Sequence, residues 1–261
     1  MESNRRLHLP SRNCPPHKMS SLPRKFATCL VAGLTVAALL LVLGNSGTLD
    51  WFPPAVVFSL VGLSLLSSVI FPFIWQQQER RQKCDSNRIY ALLFTIIRYS
   101  IAFNVASFGW KKIFGLQFIV PMEVASKPMN QQPGEVLTWY YFGYSPTFGA
   151  ITAVTQIVGS YFLLFRKTFL LSCLVLFTLM LNIALVNVFY RMNAGALTQS
   201  VILTLGLLFL LLTEYQKLVD IFIKSGSVLP SLNFKSSLSR NAVKMSAIIL
   251  SLLFVYYVVK P

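Results

Sequence analysis

The fold class this sequence predicts is all-α integral membrane, with about seven transmembrane helices, and three observations predict it. Of 261 residues, 55% are hydrophobic and only 12% are charged, against roughly 25% charged in an ordinary soluble domain. Seven apolar stretches have the length a bilayer asks of a helix, about 17 to 25 residues. The basic residues, 23 Lys plus Arg against 8 Asp plus Glu for a formal net of +15, fall between those stretches, where membrane proteins carry their orientation signals. In a soluble chain such an excess points to nucleic acid. Here a soluble enzyme, a disordered tail and a nucleic-acid reader all fit poorly.

The chain opens with a basic tail over 1–25, followed by the first span, 26–44. A basic region before an apolar run resembles a signal peptide. However, Gly44-Asn45-Ser46-Gly47 is a weak cleavage site and another span follows at once, so the segment reads as retained. The second span, 54–75, starts at a proline and has Pro72 in its last turn, positions where proline is tolerated. The third runs over 89–110, the fourth over 145–165 and the fifth over 168–189. The sixth, 197–213, is the shortest and is expected to continue helically toward Phe222. A basic loop over 214–242, with Lys217, Lys224, Lys235 and Arg240, reads as an anchor to anionic lipid. The seventh span is 243–259.

Counting charge orients the spans. With the N-terminus inside, the inner segments hold 17 Lys and Arg and the outer ones 5, leaving Arg98 within a span. That asymmetry is the positive-inside pattern, N-terminus in and C-terminus out. The outer loop 113–144 contains Leu137-Thr138-Trp139-Tyr140-Tyr141-Phe142-Gly143-Tyr144, dense in aromatics that prefer the headgroup level. It reads either as a lid on the outer face or as an aromatic belt ahead of the fourth span.

Cysteine and histidine narrow the chemistry. Cys14, Cys29, Cys84 and Cys173 form no C-x-x-C, so no dithiol is available for exchange. His8 and His17 both lie in the tail, so neither haem nor a metal centre is expected.

Arg98 is the most informative residue. It sits about nine residues, or roughly 13 Å at 1.5 Å per residue, into the third span. A charge near mid-bilayer costs about 2.5 to 3.5 kcal/mol even on lenient scales and normally faces the bundle or a wet cavity. At 100° per residue, Arg98, Ala102, Val105, Gly109 and Lys112 form one stripe, flanked by Asn104, Ser107 and Lys111. The fourth span offers a small and polar face of Gly149, Thr152, Ala153, Gln156, Gly159 and Ser160, as helix contacts in lipid do. Gln156 is expected near the depth of Arg98, and the fifth span adds Asn182 and Asn187. With no Asp or Glu in any assigned span, Arg98 needs amides, carbonyls, water or an anionic ligand. The same groups also read as a packing network. The missing carboxylate argues against a proton-coupled pump, and the absence of paired broken helices leaves an inverted-repeat transporter without support.

Over about 89–223 the chain resembles the DoxX family of four-span membrane proteins. The resemblance rests on an ordered set: Arg98-Tyr99; Gly109-Trp110-Lys111-Lys112-Ile113; Gln117-Phe118 and Pro121; Trp139; Phe142-Gly143-Tyr144-Ser145-Pro146; Leu163-Leu164-Phe165-Arg166-Lys167-Thr168; then Asn182, Asn187 and Tyr190. It implies a DoxX-like four-helix bundle made by spans three to six, with two helices before it and a loop and last helix over 224–261. It also implies an inner, cytoplasmic membrane and a link to quinone chemistry, since founding members are associated with thiosulfate:quinone oxidoreduction. The chain departs from the family in carrying Gln156 where a Glu is common, and Tyr190-Arg191-Met192-Asn193 where an acidic residue and a downstream Lys are usual. Two titratable carboxylates are therefore absent. Arg98, Asn104, Trp110, Lys112, Gln156, Asn182 and Asn187 remain as candidate ligand-binding residues. The expected activity is that of a membrane subunit of a redox system, with a bound quinone, no redox centre of its own, and electrons supplied by a partner protein. A non-catalytic scaffold is the alternative, and a small-molecule or lipid permease the third reading.

Overall fold

The computed structural model describes residues 21–45, 48, 52–225 and 237–259. It is 84% helical, with no strand among the described residues. Among the described residues, eight α-helices precede residue 214: α1 (Leu22–Leu43), α2 (Pro54–Arg80), α3 (Ser86–Ile113), the short α4 (Met122–Ala125), α5 (Gly134–Tyr144), α6 (Pro146–Leu163), α7 (Phe169–Phe189) and α8 (Ala194–Thr213). Five of these, α1, α2, α3, α7 and α8, are long and apolar enough to cross a membrane. α6 is not among them because Thr152, Gln156 and Ser160 on its buried face lower its apolar character. Two of them, Thr152 and Gln156, line the cavity described below.

Sequence punctuation sets the ends. Asp85 caps α3 by accepting from the Asn87 N–H at 3.0 Å, and Ser145 caps α6 by accepting from the Phe148 N–H, with Pro146 at the first helical position. α3 closes in a Schellman motif: the Leu116 N–H donates to the Lys111 carbonyl, the Gly115 N–H donates to that of Lys112, and Gly115 has φ +65°.

α3 packs on α6, α6 on α7, α7 on α8, and α8 back on α3, so these four close a cycle; α1 lies against α3 and α8, and α2 against α1. Small residues let the backbones approach, as membrane helix contacts require. A Cβ on Gly109 of α3 would stand 2.7 Å from Ile157 Cγ1 and 3.0 Å from the Ala153 carbonyl of α6. The expected stripe on α3 faces this contact, with Ala102, Val105 and Gly109 all buried.

The second helix runs past the expected end at 75, to Arg80, so Pro72 lies in its interior, not in its last turn. The extension has a cause. Lys25, fully buried on α1, pairs with Glu79 and donates to Gln76 of α2. Ser86 of α3 donates to Glu79 and accepts from the Trp75 Nε1–H at 3.0 Å. The Lys25 ammonium also lies 5.2 Å from the Trp75 ring centre. A buried cation is tolerable only when paired and hydrogen-bonded, so these contacts lock the near ends of α1, α2 and α3 together.

The chain divides between Tyr215 and Gln216. The sixth span is expected to continue helically toward Phe222, and it does so with a one-residue interruption at Glu214, through α9 (Tyr215–Val219) and a π-helical turn over Asp220–Lys224. The second unit contains α10 (Ser237–Phe254), extended by Val255–Val259. Its apolar stretch is Ile248–Tyr257, within the expected seventh span. Residues 1–20 of the basic tail, with His8, Cys14 and His17, and Lys235 of the basic loop lie outside the described residues, while the end of the expected tail, Leu22–Lys25, forms the first turn of α1.

Candidate functional site

Inside the four-helix cycle, between the last turns of α3 and the first turns of α8, lies a cavity of about 410 Å³. That is the size range of small-molecule sites, about 300 to 1,000 Å³. Its polar centre is Lys112, whose Nζ donates to Gln156 Oε1 of α6 at 2.9 Å. A second, longer contact runs from Nζ to the Phe108 carbonyl at 3.5 Å. Gln156 is 2% exposed, so its amide has been taken out of water and needs these partners. α7 contributes the apolar wall, with Met180, Ile183 and Val186, and α8 contributes Gln199, Ser200 and Leu203.

The outer segment covers the cavity. Leu116–Ile119 line it just beyond the α3 turn, and Thr138, Trp139 and Phe142 line it from α5. Phe118 holds φ +65°, a left-handed conformation that a bulky residue rarely adopts. Its ring stacks on Phe142 at 5.3 Å and lies 5.8 Å from the Lys112 ammonium. Tertiary contacts therefore over-determine this strained residue, as they must for the strain to persist. Gly134 seats the start of α5 against the end of α7, where any Cβ would stand 2.4 Å from the Tyr190 carbonyl. At the other end of α5, Phe142 stacks on Phe148 of α6 at 5.8 Å.

The structure brings together only part of the expected set. Lys112, Gln156 and Asn187 share the cavity. Asn187 is buried and donates to the Ala196 carbonyl at 3.0 Å and to Ser200 Oγ at 2.9 Å, which ties α7 to α8. Asn104 is fully buried and donates to the Ser100 carbonyl at 2.7 Å, while its Oδ1 has no partner among the described residues. It does not line the cavity. Trp110 is 40% exposed and stacks on Phe114 at 5.8 Å, and Asn182 is exposed.

Arg98 was expected level with Gln156, and it lies elsewhere. Its Nε and Nη2 donate to the Leu163 carbonyl at 3.1 and 2.8 Å, and its guanidinium lies 5.0 Å from the Phe169 ring centre. Leu163 ends α6 and Phe169 begins α7, so Arg98 caps a helix C-terminus, where a cation meets the negative end of the dipole. The reason for the shift is register. α3 begins well before α6 ends, reaching down to the Trp75 and Glu79 contacts, so equal distances from the two helix ends are not equal depths.

Gln199 was not anticipated. It is 9% exposed, lines the cavity, and donates through Nε2 to the Ala38 carbonyl of α1 at 3.0 Å. Its Oε1 is buried with no partner among the described residues. No periodic signal marks a lone Gln near the start of an apolar span. The cavity as a whole combines one cation, a few convergent amides and aromatic walls, suited to a small amphipathic molecule whose polar head accepts a hydrogen bond. No family model, no curated protein and no solved structure matches this chain.

Proposed function

We propose that this chain is a seven-span, DoxX-like protein of the inner membrane that binds a quinone-type ligand as the membrane subunit of a redox system. The observation that carries the reading is the Lys112–Gln156 pair lining a cavity of about 410 Å³ in a bundle whose α3, α7 and α8 are long and apolar enough for a bilayer. A quinone fits that donor set: the Lys112 ammonium suits a carbonyl oxygen, and Trp139, Phe118 and Phe142 suit a flat ring. When bound, such a ligand carries two electrons and two protons. The chain's own residues bind it, orient it and keep water from it, and a partner protein supplies the electrons. N-terminus inside and C-terminus outside is the orientation that goes with this reading, supported by the charge asymmetry of the loops.

The test is extraction and mass spectrometry of small molecules from gently solubilised protein, with Lys112→Met and Arg98→Ala beside it. The expected result is a stoichiometric quinone in the wild type and in Arg98→Ala, lost in Lys112→Met. Bulk phospholipid alone in all three samples would overturn the reading in favour of a scaffold subunit. That second reading has its own support, since Arg98, Asn104 and Asn187 all donate to backbone carbonyls within the bundle.

A further inference from the structure

The donors and acceptors of the cavity stand on different helices, and one of them cannot be reversed. The Ala38 carbonyl only accepts, so the Gln199 amide must turn its NH₂ toward α1. That leaves Oε1 as the group Gln199 has for the cavity it lines, and this atom is buried without a partner among the described residues. Across the site, Lys112 donates to Gln156 Oε1 and to the Phe108 carbonyl, so the α3–α6 wall offers hydrogen-bond donors: the remaining ammonium proton and the Gln156 NH₂. A ligand that satisfies both walls therefore accepts on one side and donates on the other. A quinone has only acceptors and would set a carbonyl oxygen against Gln199 Oε1. A hydroquinone has a hydroxyl at each end, each able to accept or to donate.

We infer that the cavity selects the reduced, hydroxyl-bearing form of its ligand, with Lys112 and Gln156 receiving one oxygen and Gln199 Oε1 accepting from the other hydroxyl. Gln199 is then the residue that determines which redox form is held, and Lys112 the residue that holds either form. The inference rests on the quinone-type reading above and adds to it the redox state.

The physical basis is the asymmetry of buried polar groups. Pairing adds modestly, whereas burying an acceptor against another acceptor carries the full desolvation penalty, and sites built to pair a hydroxyl reject analogues that lack it. The experiment measures binding of a decyl-substituted benzoquinone and of its hydroquinone, the latter under anaerobic conditions, to the full-length protein in detergent. Wild type is expected to bind the hydroquinone about tenfold more tightly, the ratio one unsatisfied buried acceptor produces. Gln199→Met should bring the two affinities together, and Lys112→Gln should weaken both by a similar factor. Equal affinities in the wild type, or a preference for the quinone, would overturn this inference while leaving the quinone-type reading in place. Binding of neither form would remove that reading itself. The wild-type ratio decides even where Gln199→Met does not fold.

Discussion

Lys112 and Arg98 share one helix and one stripe, yet they have different surroundings and call for different experiments. Arg98 gives two donors to the carbonyl that ends α6, an arrangement worth up to about 2 kcal/mol when partly buried. Arg98→Ala is expected to cost about 1 to 2 kcal/mol of stability and to leave ligand affinity within about twofold, because the two sites share no partner. Lys112→Met removes the ammonium that donates to the buried Gln156 amide oxygen. It is expected to cost about 1 to 3 kcal/mol and to abolish binding. Thermal melts in detergent beside a binding assay separate the two. An Arg98→Ala protein that melts normally but no longer binds would return Arg98 to the site. The stripe itself was legible, because a 100° repeat brings Arg98, Gly109 and Lys112 to one face whatever the tertiary structure. Which partner each cation meets was not legible, because that depends on where α3 and α6 start relative to one another.

At the level of elements, the α3–α6 seam is the wall that carries the cavity, and its closeness depends on Gly109. Gly109→Val would drive branched carbons into Ile157 Cγ1 and the Ala153 carbonyl, where even a Cβ stands at 2.7 and 3.0 Å. Overpacking of this kind costs about 1 to 3 kcal/mol, and by separating the helices it should also weaken the Lys112–Gln156 bond. The control is Gly62→Ala on α2, where a Cβ meets nothing within 4 Å. Helix propensity favours Ala by about 1 kcal/mol there, so the melting midpoint should hold or rise. If both variants melt alike, the close approach at Gly109 is not what holds the seam. Sequence reasoning located this seam because alternating small and polar residues on the fourth span are a recognisable signature. It missed the Lys25–Glu79 lock, since both residues fall in segments assigned to the aqueous side, and nothing local shows that α2 continues to meet α1 and α3. It missed Gln199 for a related reason: the partner is a backbone carbonyl 161 residues away.

For the whole molecule, the arrangement of sides follows from a few helix-end contacts combined with loop charge. The Lys25–Glu79 cluster joins the start of α1, the end of α2 and the start of α3, so these ends share one side. The segment covering the cavity follows the opposite end of α3. If the basic segments face the cytoplasm, the loop between α2 and α3 is inside and the aromatic cover is outside. The protein carries its own probe: Cys84 lies in that loop. With Cys14, Cys29 and Cys173 replaced by alanine, Cys84 should react with an impermeant maleimide only after the membrane is opened. With Cys84 also replaced, Tyr144→Cys, at a position 92% exposed, should react in intact cells. The reverse pattern would invert the orientation, and equal access at both positions would mean that α3 does not cross. Pro261→Cys in the same background tests the number of crossings. α10 is the crossing this variant tests, because its helix opens on a basic stretch, with Arg240 and Lys244, that the charge pattern assigns to the inner side. Labelling of Pro261→Cys from outside supports seven crossings and opposite sides for the two termini. Labelling only after permeabilisation would reduce the count to six and make α10 a helix on the inner surface, leaving the four-helix cavity and its predicted ligand chemistry unchanged.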